Sequence, residues 1–370
     1  RLRPPRDPGR ARGRRGGGAM NEWLALFLKI AFVLLLILQG VPVLIWLERK
    51  ISAYIQGRVG PNRTSLFGIK AAGFFQPVAD AIKLFFKEDI TPSMVDKFLY
   101  YAAPVLVFAP PFLAFAVIPF GNRIGDVHLQ IANLPIGVLF AMSVMSIGVY
   151  GIAFGGWASH SKYSLLGGLR SSAQMISYEL TLGLSIMLAI MLSESVDLRQ
   201  IVQRQIEGGW NVFGGPKWYL APFGIVGAIL FYAASLAENN RLPFDLPECE
   251  AELVAGYHTE YSSMKYAMFM LAEYAAMITM SALLTTLYFG GWHFKGITDP
   301  LDYSWWGGIK SHLVFAAKMS AILFTTIWIR WTLPRFRYDQ LMNLGWKGLI
   351  PVSLVNLAIV AVLQVVWNPK

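Results

Sequence analysis

Residues 24 to 47 read LALFLKIAFVLLLILQGVPVLIWL, an apolar stretch in which Lys29 is the only charged residue. A helix needs about 20 apolar residues to cross the ~30 Å hydrocarbon core of a bilayer, so this stretch can span a membrane. Seven similar stretches follow, and 55% of the chain is hydrophobic, with a mean hydropathy of +0.48. The sequence therefore predicts an all-α polytopic membrane protein with eight transmembrane helices. The predicted spans lie near residues 24–47, 98–120, 136–157, 174–193, 218–237, 265–289, 312–332 and 348–367.

Motifs for nucleotides, metals and redox centres are missing from the sequence. Cys249 is the only cysteine, whereas an iron-sulfur cluster needs about four thiolate ligands. The five histidines show no i, i+3 or i, i+4 pairing typical of a metal or haem site, and there is no GxGxxG after a strand pattern and no GxxxxGK. We therefore expect no cofactor or metal on this chain, and any redox centre should belong to partner chains.

The first 19 residues differ in composition from the rest of the chain. RLRPPRDPGRARGRRGGGA holds seven arginines and one aspartate, so it contributes +6 of the formal net charge of +10. We interpret residues 1–19 as a disordered, non-native upstream extension, with a nucleic-acid- or lipid-binding arm as the alternative. Residues 20–370 should form a single membrane domain that binds no nucleic acid.

Positive charges are distributed unevenly among the predicted loops. With eight spans, loops one, three, five and seven lie on one side of the membrane, and both termini lie on the other. The first loop alone carries eight lysines and arginines between residues 48 and 97, whereas loops two, four and six together carry six. The positive-inside rule therefore predicts that the odd-numbered loops are cytoplasmic and that both termini are outside.

The first loop also contains an amphipathic pattern. In GIKAAGFFQPVADAIKLFFKED, residues 68–89, polar residues recur at helical spacing and apolar residues occupy the other faces. This pattern predicts a helix lying in the membrane plane. A short re-entrant or peripheral helix without a specific function is the alternative reading.

An acidic segment follows the fifth span. AENNRLPFDLPECEAELVAGYHTEYS, residues 237–262, sets six acids against Arg241, and the acidic cytoplasmic loop is predicted over residues 238–264. Crowded, partly desolvated carboxylates can exchange protons as a coupled set, which makes the loop a candidate for proton handling. A solvated loop that docks a basic partner remains the alternative. The acids are Glu238, Asp245, Glu248, Glu250, Glu252 and Glu260.

Charged residues also occur inside the predicted spans. Glu179 should lie one to two turns from its helix start, where it can snorkel, whereas Glu273 lies deeper and is the stronger functional candidate. Lys318 could pair with an acid inside the bundle or line a polar vestibule.

Arginines flank two proline-containing turns, one after the first span and one after the seventh. Arg58 and Arg63 surround Gly-Pro-Asn, and Arg330 precedes Pro334. These side chains could bind lipid headgroups, an acidic partner surface or a polar ligand head.

Five motifs in this order resemble the NuoH family, the membrane subunit of respiratory complex I, known in mitochondria as NADH dehydrogenase subunit one. They are ERKISAYIQGRVGPN, FFQPVADAIKLFFKE, LRSSAQMISYEL, the acidic segment continued through SMKYAMFMLAEY, and RWTLPRFRYDQLM. The resemblance covers about residue 20 to the C-terminus. Cys249 departs from it, because a small apolar residue is expected there.

The resemblance implies a subunit of a proton-translocating NADH:quinone oxidoreductase that is not catalytic alone. It implies a quinone chamber whose substrate is reduced on a neighbouring hydrophilic subunit, and an acidic path from this chamber toward the antiporter-like subunits. No catalytic residue is assigned to this chain. The implied chamber residues are Arg49, Arg58, Arg63, Asp80, Lys83 and Arg330, and the implied proton-path residues are Glu179, Glu238, Glu248, Glu250, Glu252, Glu260 and Glu273.

The implied partners are the quinone-site and terminal-cluster subunits of the peripheral arm, which carry FMN and iron-sulfur clusters, together with small and antiporter-like membrane subunits and the lipid bilayer. The implied location is the inner (plasma) membrane of a bacterium. The implied quinone is ubiquinone or menaquinone.

Three alternatives are compatible with the sequence. The membrane subunit of energy-converting hydrogenases and other complex I-like dehydrogenases is similar, although the intact GRVGPN and PECEAELVAGYHTEYS stretches favour the quinone-linked version. An autonomous proton or cation carrier would predict a repeated half, which the sequence lacks. A purely structural anchor leaves Glu273 and the acidic loop unexplained.

Overall fold

The computed structural model describes residues 18–65, 68, 71–125, 127–245 and 254–367. Within them the chain is almost entirely helical. The helices are α1 Gly18–Ile55, α2 Gln76–Phe86, α3 Lys97–Phe115, α4 Gly137–Ala158, α5 Lys162–Ser193, α6 Leu198–Gly208, α7 Ala221–Glu238, α8 Ser263–Tyr288, α9 Trp305–Thr332 and α10 Tyr338–Trp367. A short antiparallel hairpin, β1 Arg123–Ile124 and β2 Val127–His128, follows α3.

Eight helices in the described part of the chain are long and apolar enough to cross a membrane, which confirms the predicted fold class. They are Leu26–Ile55 within α1, then α3, α4, α5, Trp218–Glu238 around α7, α8, α9 and α10. Loops one, three, five and seven therefore meet at one end of the bundle, which we call the odd-loop end. The opposite end is the even-loop end. Residues 1–17 of the predicted extension lie outside the described residues, whereas Gly18 and Ala19 belong to α1.

The start of α5 differs from the prediction. The helix begins at Lys162 rather than near residue 174, so Glu179 lies near its middle and not close to its start. The early turns are rich in serine and glycine, which lowers their hydropathy although most of these residues are buried. A Cβ atom on Gly167 would lie 2.7 Å from the Gly256 Cα, so the small side chains let the loop after α7 approach α5 closely.

Helix α2 lies at the predicted position in the first loop. The Oγ atom of Ser263, at the start of α8, donates to the carbonyl of Leu84 at 3.0 Å. Phe85 and Phe86 are exposed at 68% and 81%, so an apolar face is left uncovered by the chain. An apolar face of this kind is typical of helices at a membrane interface, which is where we predicted α2.

Helix α8 is the most buried of the eight spans, and α1 and α10 lie toward the outside of the bundle. Its side chains join the main hydrophobic core, which includes Phe115, Leu182, Phe231 and Phe315 from four other helices. A charged side chain on α8 is therefore surrounded by protein, and Glu273 is such a residue.

Candidate functional site

A buried cluster of two carboxylates and two guanidinium groups lies toward the odd-loop end. Arg241, just after α7, places Nε 2.5 Å from Oε1 of Glu273 and Nη1 3.4 Å from Oε1 of Glu48. The contact with Glu273 is an ion contact rather than an aligned hydrogen bond. Arg330, near the end of α9, also donates to Oε1 of Glu48. We call these four residues the ion cluster.

The ion cluster is charge-balanced, and its central arginine is almost completely enclosed. The side chain of Arg241 is only 3% exposed and that of Glu48 only 8%. Buried charges carry a large desolvation cost, so each of them needs a partner of opposite sign. The cluster meets this condition because its two positive and two negative side chains are in contact.

Tyr274 completes the contacts around the ion cluster. Its hydroxyl donates to Oε2 of Glu48 at 2.8 Å, and its ring centroid lies 4.3 Å from the Arg241 guanidinium carbon. Burial alone would lower the pKa of Arg241, but Glu273, Tyr274 and Glu48 together hold that pKa well above its ordinary value. Arg241 therefore stays charged and anchors the cluster.

A cavity of about 480 Å³ lies next to the ion cluster. Glu273 and Glu238 both line it, together with Asn239, Asn240 and apolar side chains. The Oε2 atom of Glu238 is buried and has no hydrogen-bond partner among the described residues. An ionised carboxylate without a partner is costly to bury, so the protonation of Glu238 should respond to nearby charges.

Glu179 extends this series of acids beyond the cavity. The hydroxyl of Ser146 donates to Oε1 of Glu179, which holds the carboxylate between α4 and α5. The charge of Glu179 acts electrostatically on the carboxyl group of Glu238. Glu273, Glu238 and Glu179 thus form a series that begins at the ion cluster and passes along the cavity into the bundle.

Of the other predicted proton-path acids, only Glu260 is among the described residues, and it lies in another group of contacts. The backbone carbonyl of Glu260 accepts a hydrogen bond from Tyr100 at 2.7 Å, in a separate group that includes the Lys265–Asp89 ion pair. Glu248, Glu250 and Glu252 lie outside the described residues. Asp245 binds Arg335 at 3.0 Å and so connects the fifth loop to the seventh.

Some of the predicted chamber residues form ion pairs with other parts of the chain, and others lie at the surface. Arg49 and Asp80 form a 2.6 Å ion pair that connects the end of α1 to α2. Arg330 belongs to the ion cluster rather than to the surface. Arg58 and Lys83 are exposed, and Arg63 lines an open concavity of about 1240 Å³ beside α2.

Lys318 does not pair with an acid in the described part of the chain. Its Nζ donates to the backbone carbonyls of Phe289, Gly291 and His293 at 2.6, 3.1 and 2.6 Å. These carbonyls follow the C-terminus of α8, where the helix dipole favours a positive charge. Among the described residues Lys318 therefore caps α8 and has no acidic partner.

Sequence reasoning identified Glu273 and set Arg241 against the acids of the fifth loop, but it did not group them with Glu48 and Tyr274. One signal was present, because Glu48 directly follows an apolar span and Arg241 is the only cation among the acids of the fifth loop. Neither observation specifies a contact. No group of three or more His, Cys, Asp or Glu side chains that could hold a metal ion occurs in the described ranges.

Comparison with known proteins agrees with this architecture. Residues 28–361 match the family model described as NADH dehydrogenase. The second H-type NADH-quinone oxidoreductase subunit of Geobacter metallireducens is 47% identical over 362 residues, which covers 94% of this chain and 97% of that protein. NADH-quinone oxidoreductase subunit 8 of Rhodothermus marinus is 45% identical, covering 92% and 96%. The chain therefore belongs to the NuoH family of NADH-quinone oxidoreductases, the membrane subunits of respiratory complex I.

Proposed function

We propose that this chain serves as the NuoH-type membrane subunit of a proton-translocating NADH:quinone oxidoreductase. In this role it forms part of the quinone chamber and of the acidic path that couples quinone reduction to proton translocation. The observation that carries the proposal is the buried series Glu273, Glu238 and Glu179, which starts at the ion cluster and runs beside a cavity. Family membership supports the same conclusion.

The chamber is proposed at the junction of α1 and α2. Gln76 lines a broad concavity and donates to Asp80 of the Arg49–Asp80 ion pair at 3.1 Å. The exposed apolar face of α2 offers a surface that a lipid-soluble substrate can follow from the bilayer. The concavity is open, as a chamber completed by a neighbouring subunit would be. Electrons reach the quinone from FMN and iron-sulfur clusters held by the peripheral-arm subunits.

The ion cluster is proposed as the link between the chamber and the acidic series. A quinone that accepts electrons must also take up protons, so its reduction changes the local charge. Glu48 and Glu273 share Arg241, and a charge change at one carboxylate alters the electrostatic potential at the other. A proton can then be redistributed among Glu273, Glu238 and Glu179 without free charge entering an apolar region.

We also propose the orientation and partners of the chain. The odd-loop end faces the cytoplasm of a bacterium, both termini face outward, and the protein spans the plasma membrane. The odd-loop end would then contact the quinone-site and terminal-cluster subunits, whereas the membrane faces contact the small and antiporter-like subunits. The acids of the fifth loop would lie between these two groups of partners.

A purification test addresses the assignment directly. The chain, tagged at its C-terminus and extracted gently from its native membrane, should copurify with flavin, iron-sulfur proteins and inhibitor-sensitive NADH:quinone reduction. Copurification with a hydrogenase would leave the predicted architecture intact but would contradict NADH as the electron donor. Recovery of the chain alone, in an active form, would contradict a role as a subunit.

Substitution of Asp80 tests the chamber. Asp80→Ala removes the ion pair with Arg49, and we expect a several-fold change in the KM for quinone or in inhibitor sensitivity. This ion pair is partly exposed. Ion pairs at the surface contribute only about 0–1 kcal/mol to stability, so the complex should still assemble. Steady-state kinetics with a short-chain quinone provide the measurement. Lys87→Ala at the end of the same helix is the matched control, and wild-type kinetics in both variants would remove Asp80 from the chamber.

A further inference from the structure

A polar pocket lies at the even-loop end, on the opposite side of the bundle from the ion cluster. Its empty volume is about 580 Å³, and its walls come from the β1–β2 hairpin, α6 and the segment between α8 and α9. None of these elements contributes to the proposed chamber or acidic series. The polar side chains in its walls include Arg123, His128, Gln130, Arg199, Gln203 and Tyr303.

Two arginines converge on this pocket. Arg123 stacks over the ring of Tyr303 at 4.1 Å, and its Nε is buried without a hydrogen-bond partner among the described residues. Nη2 of Arg199 lies 2.6 Å from Nδ1 of His128. Burial lowers the pKa of the Arg199 guanidinium, and the charge of Arg123 lowers it further, although Asp197 acts in the opposite direction. Both positive groups therefore lie in the wall of one pocket.

No carboxylate of the described ranges forms an ion pair with either arginine. The carboxylate of Asp197, which influences Arg199 most, accepts the backbone N–H of Arg199 at 2.9 Å and caps the start of α6. Neighbouring cations that are partly buried cost free energy unless an anion neutralises them. The even-numbered loops carry few cations, yet two of them meet here. Counted over the described residues, the pocket thus has excess positive charge and space for a ligand.

The hydrogen-bonding groups specify the anion further. A guanidinium group matches the oxygens of phosphate and carboxylate in a planar, bidentate geometry. The Oε1 of Gln130 is also buried without a hydrogen-bond partner in the described residues, so it can accept from a hydroxyl on the ligand. Inorganic phosphate carries such a hydroxyl at neutral pH, and so does the glycerol headgroup of phosphatidylglycerol.

We propose that this pocket binds a phosphate group between Arg123 and Arg199, with Gln130 accepting a ligand hydroxyl. The phosphate belongs either to the headgroup of an anionic phospholipid, reached from the membrane surface, or to free inorganic phosphate. Binding neutralises the two arginines and connects the β1–β2 hairpin to α6, which stabilises the even-loop end.

The test uses the purified complex that contains this chain. Phospholipid retained after delipidation is quantified by mass spectrometry. Thermal stability is measured with inorganic phosphate and with chloride at equal ionic strength. Arg123→Gln is the main variant because Arg123 makes no hydrogen bond through its Nε atom, and Arg199→Gln is the second. Arg204→Gln, an exposed arginine on α6 outside the pocket, is the matched control.

We expect the wild type and Arg204→Gln to retain anionic phospholipid or to be stabilised by inorganic phosphate. Arg123→Gln should bind the same probe at least about tenfold more weakly, because charged hydrogen bonds are lost. Loss of retained phospholipid in Arg123→Gln identifies a lipid headgroup. Loss of the stabilisation by phosphate, with equal lipid content, identifies free phosphate. Equal lipid content and equal response to phosphate in all variants would overturn the proposal. A delipidated wild type that neither phosphate nor anionic lipid stabilises would overturn it even if the variants fail to assemble.

Discussion

Arg241→Met should strongly reduce the amount of assembled complex and remove most of its quinone reductase activity. The substitution leaves Glu48 and Glu273 buried with Arg330 as the remaining cation of the ion cluster. Removing one partner of a buried ion pair typically destabilises a protein by about 3–5 kcal/mol, because the remaining charge has no compensation. The measurement is the yield of intact complex and its half-life at elevated temperature.

A second substitution separates charge balance from packing. Arg241→Met combined with Glu273→Gln restores equal numbers of positive and negative groups, so it should recover much of the lost stability. Arg337→Met, which disrupts the exposed ion pair with Asp339, is the control and should cost less than about 1 kcal/mol. If the double variant is no more stable than Arg241→Met, charge balance does not explain the cluster.

Glu238→Gln should lower coupled NADH:quinone reduction at least about tenfold, since proton transfer by a positioned side chain commonly contributes 100-fold or more. Glutamine has nearly the same shape as glutamate but cannot release a proton. Because one Glu238 oxygen has no hydrogen-bond partner in the described residues, the substitution should leave assembly intact. Inhibitor-sensitive quinone reduction and proton uptake by sealed vesicles provide the measurement.

The internal control is NADH oxidation with an artificial acceptor, which bypasses the membrane subunits and should be unchanged. Glu207→Gln changes an exposed acid at the even-loop end, outside the proposed path, and should behave as wild type. Normal coupled turnover in Glu238→Gln would exclude Glu238 from the proton path. The remaining acids would then have to carry protons without it.

Local sequence patterns were sufficient for the fold class and for some of the site. The eight spans follow from apolar length, because a bilayer requires about 20 apolar residues wherever a helix crosses it. The same rule made Glu273 conspicuous, since a charge inside such a stretch is costly. Hydropathy failed at the start of α5, where serines and glycines are buried against other parts of the protein rather than exposed to lipid.

The partner of each charged side chain was decided by packing across the whole chain. Arg330 and Glu48 are 282 residues apart in sequence, and Arg241 and Glu48 are 193 apart. Lys318 could pair with acid or carbonyl groups, and only the packing of α9 against the end of α8 selects three carbonyls. The convergence of Arg123 and Arg199 likewise depends on how the hairpin packs against α6. A membrane crossing depends on the composition of one short segment, whereas an ion pair depends on which distant helices become neighbours, and that is a property of tertiary structure.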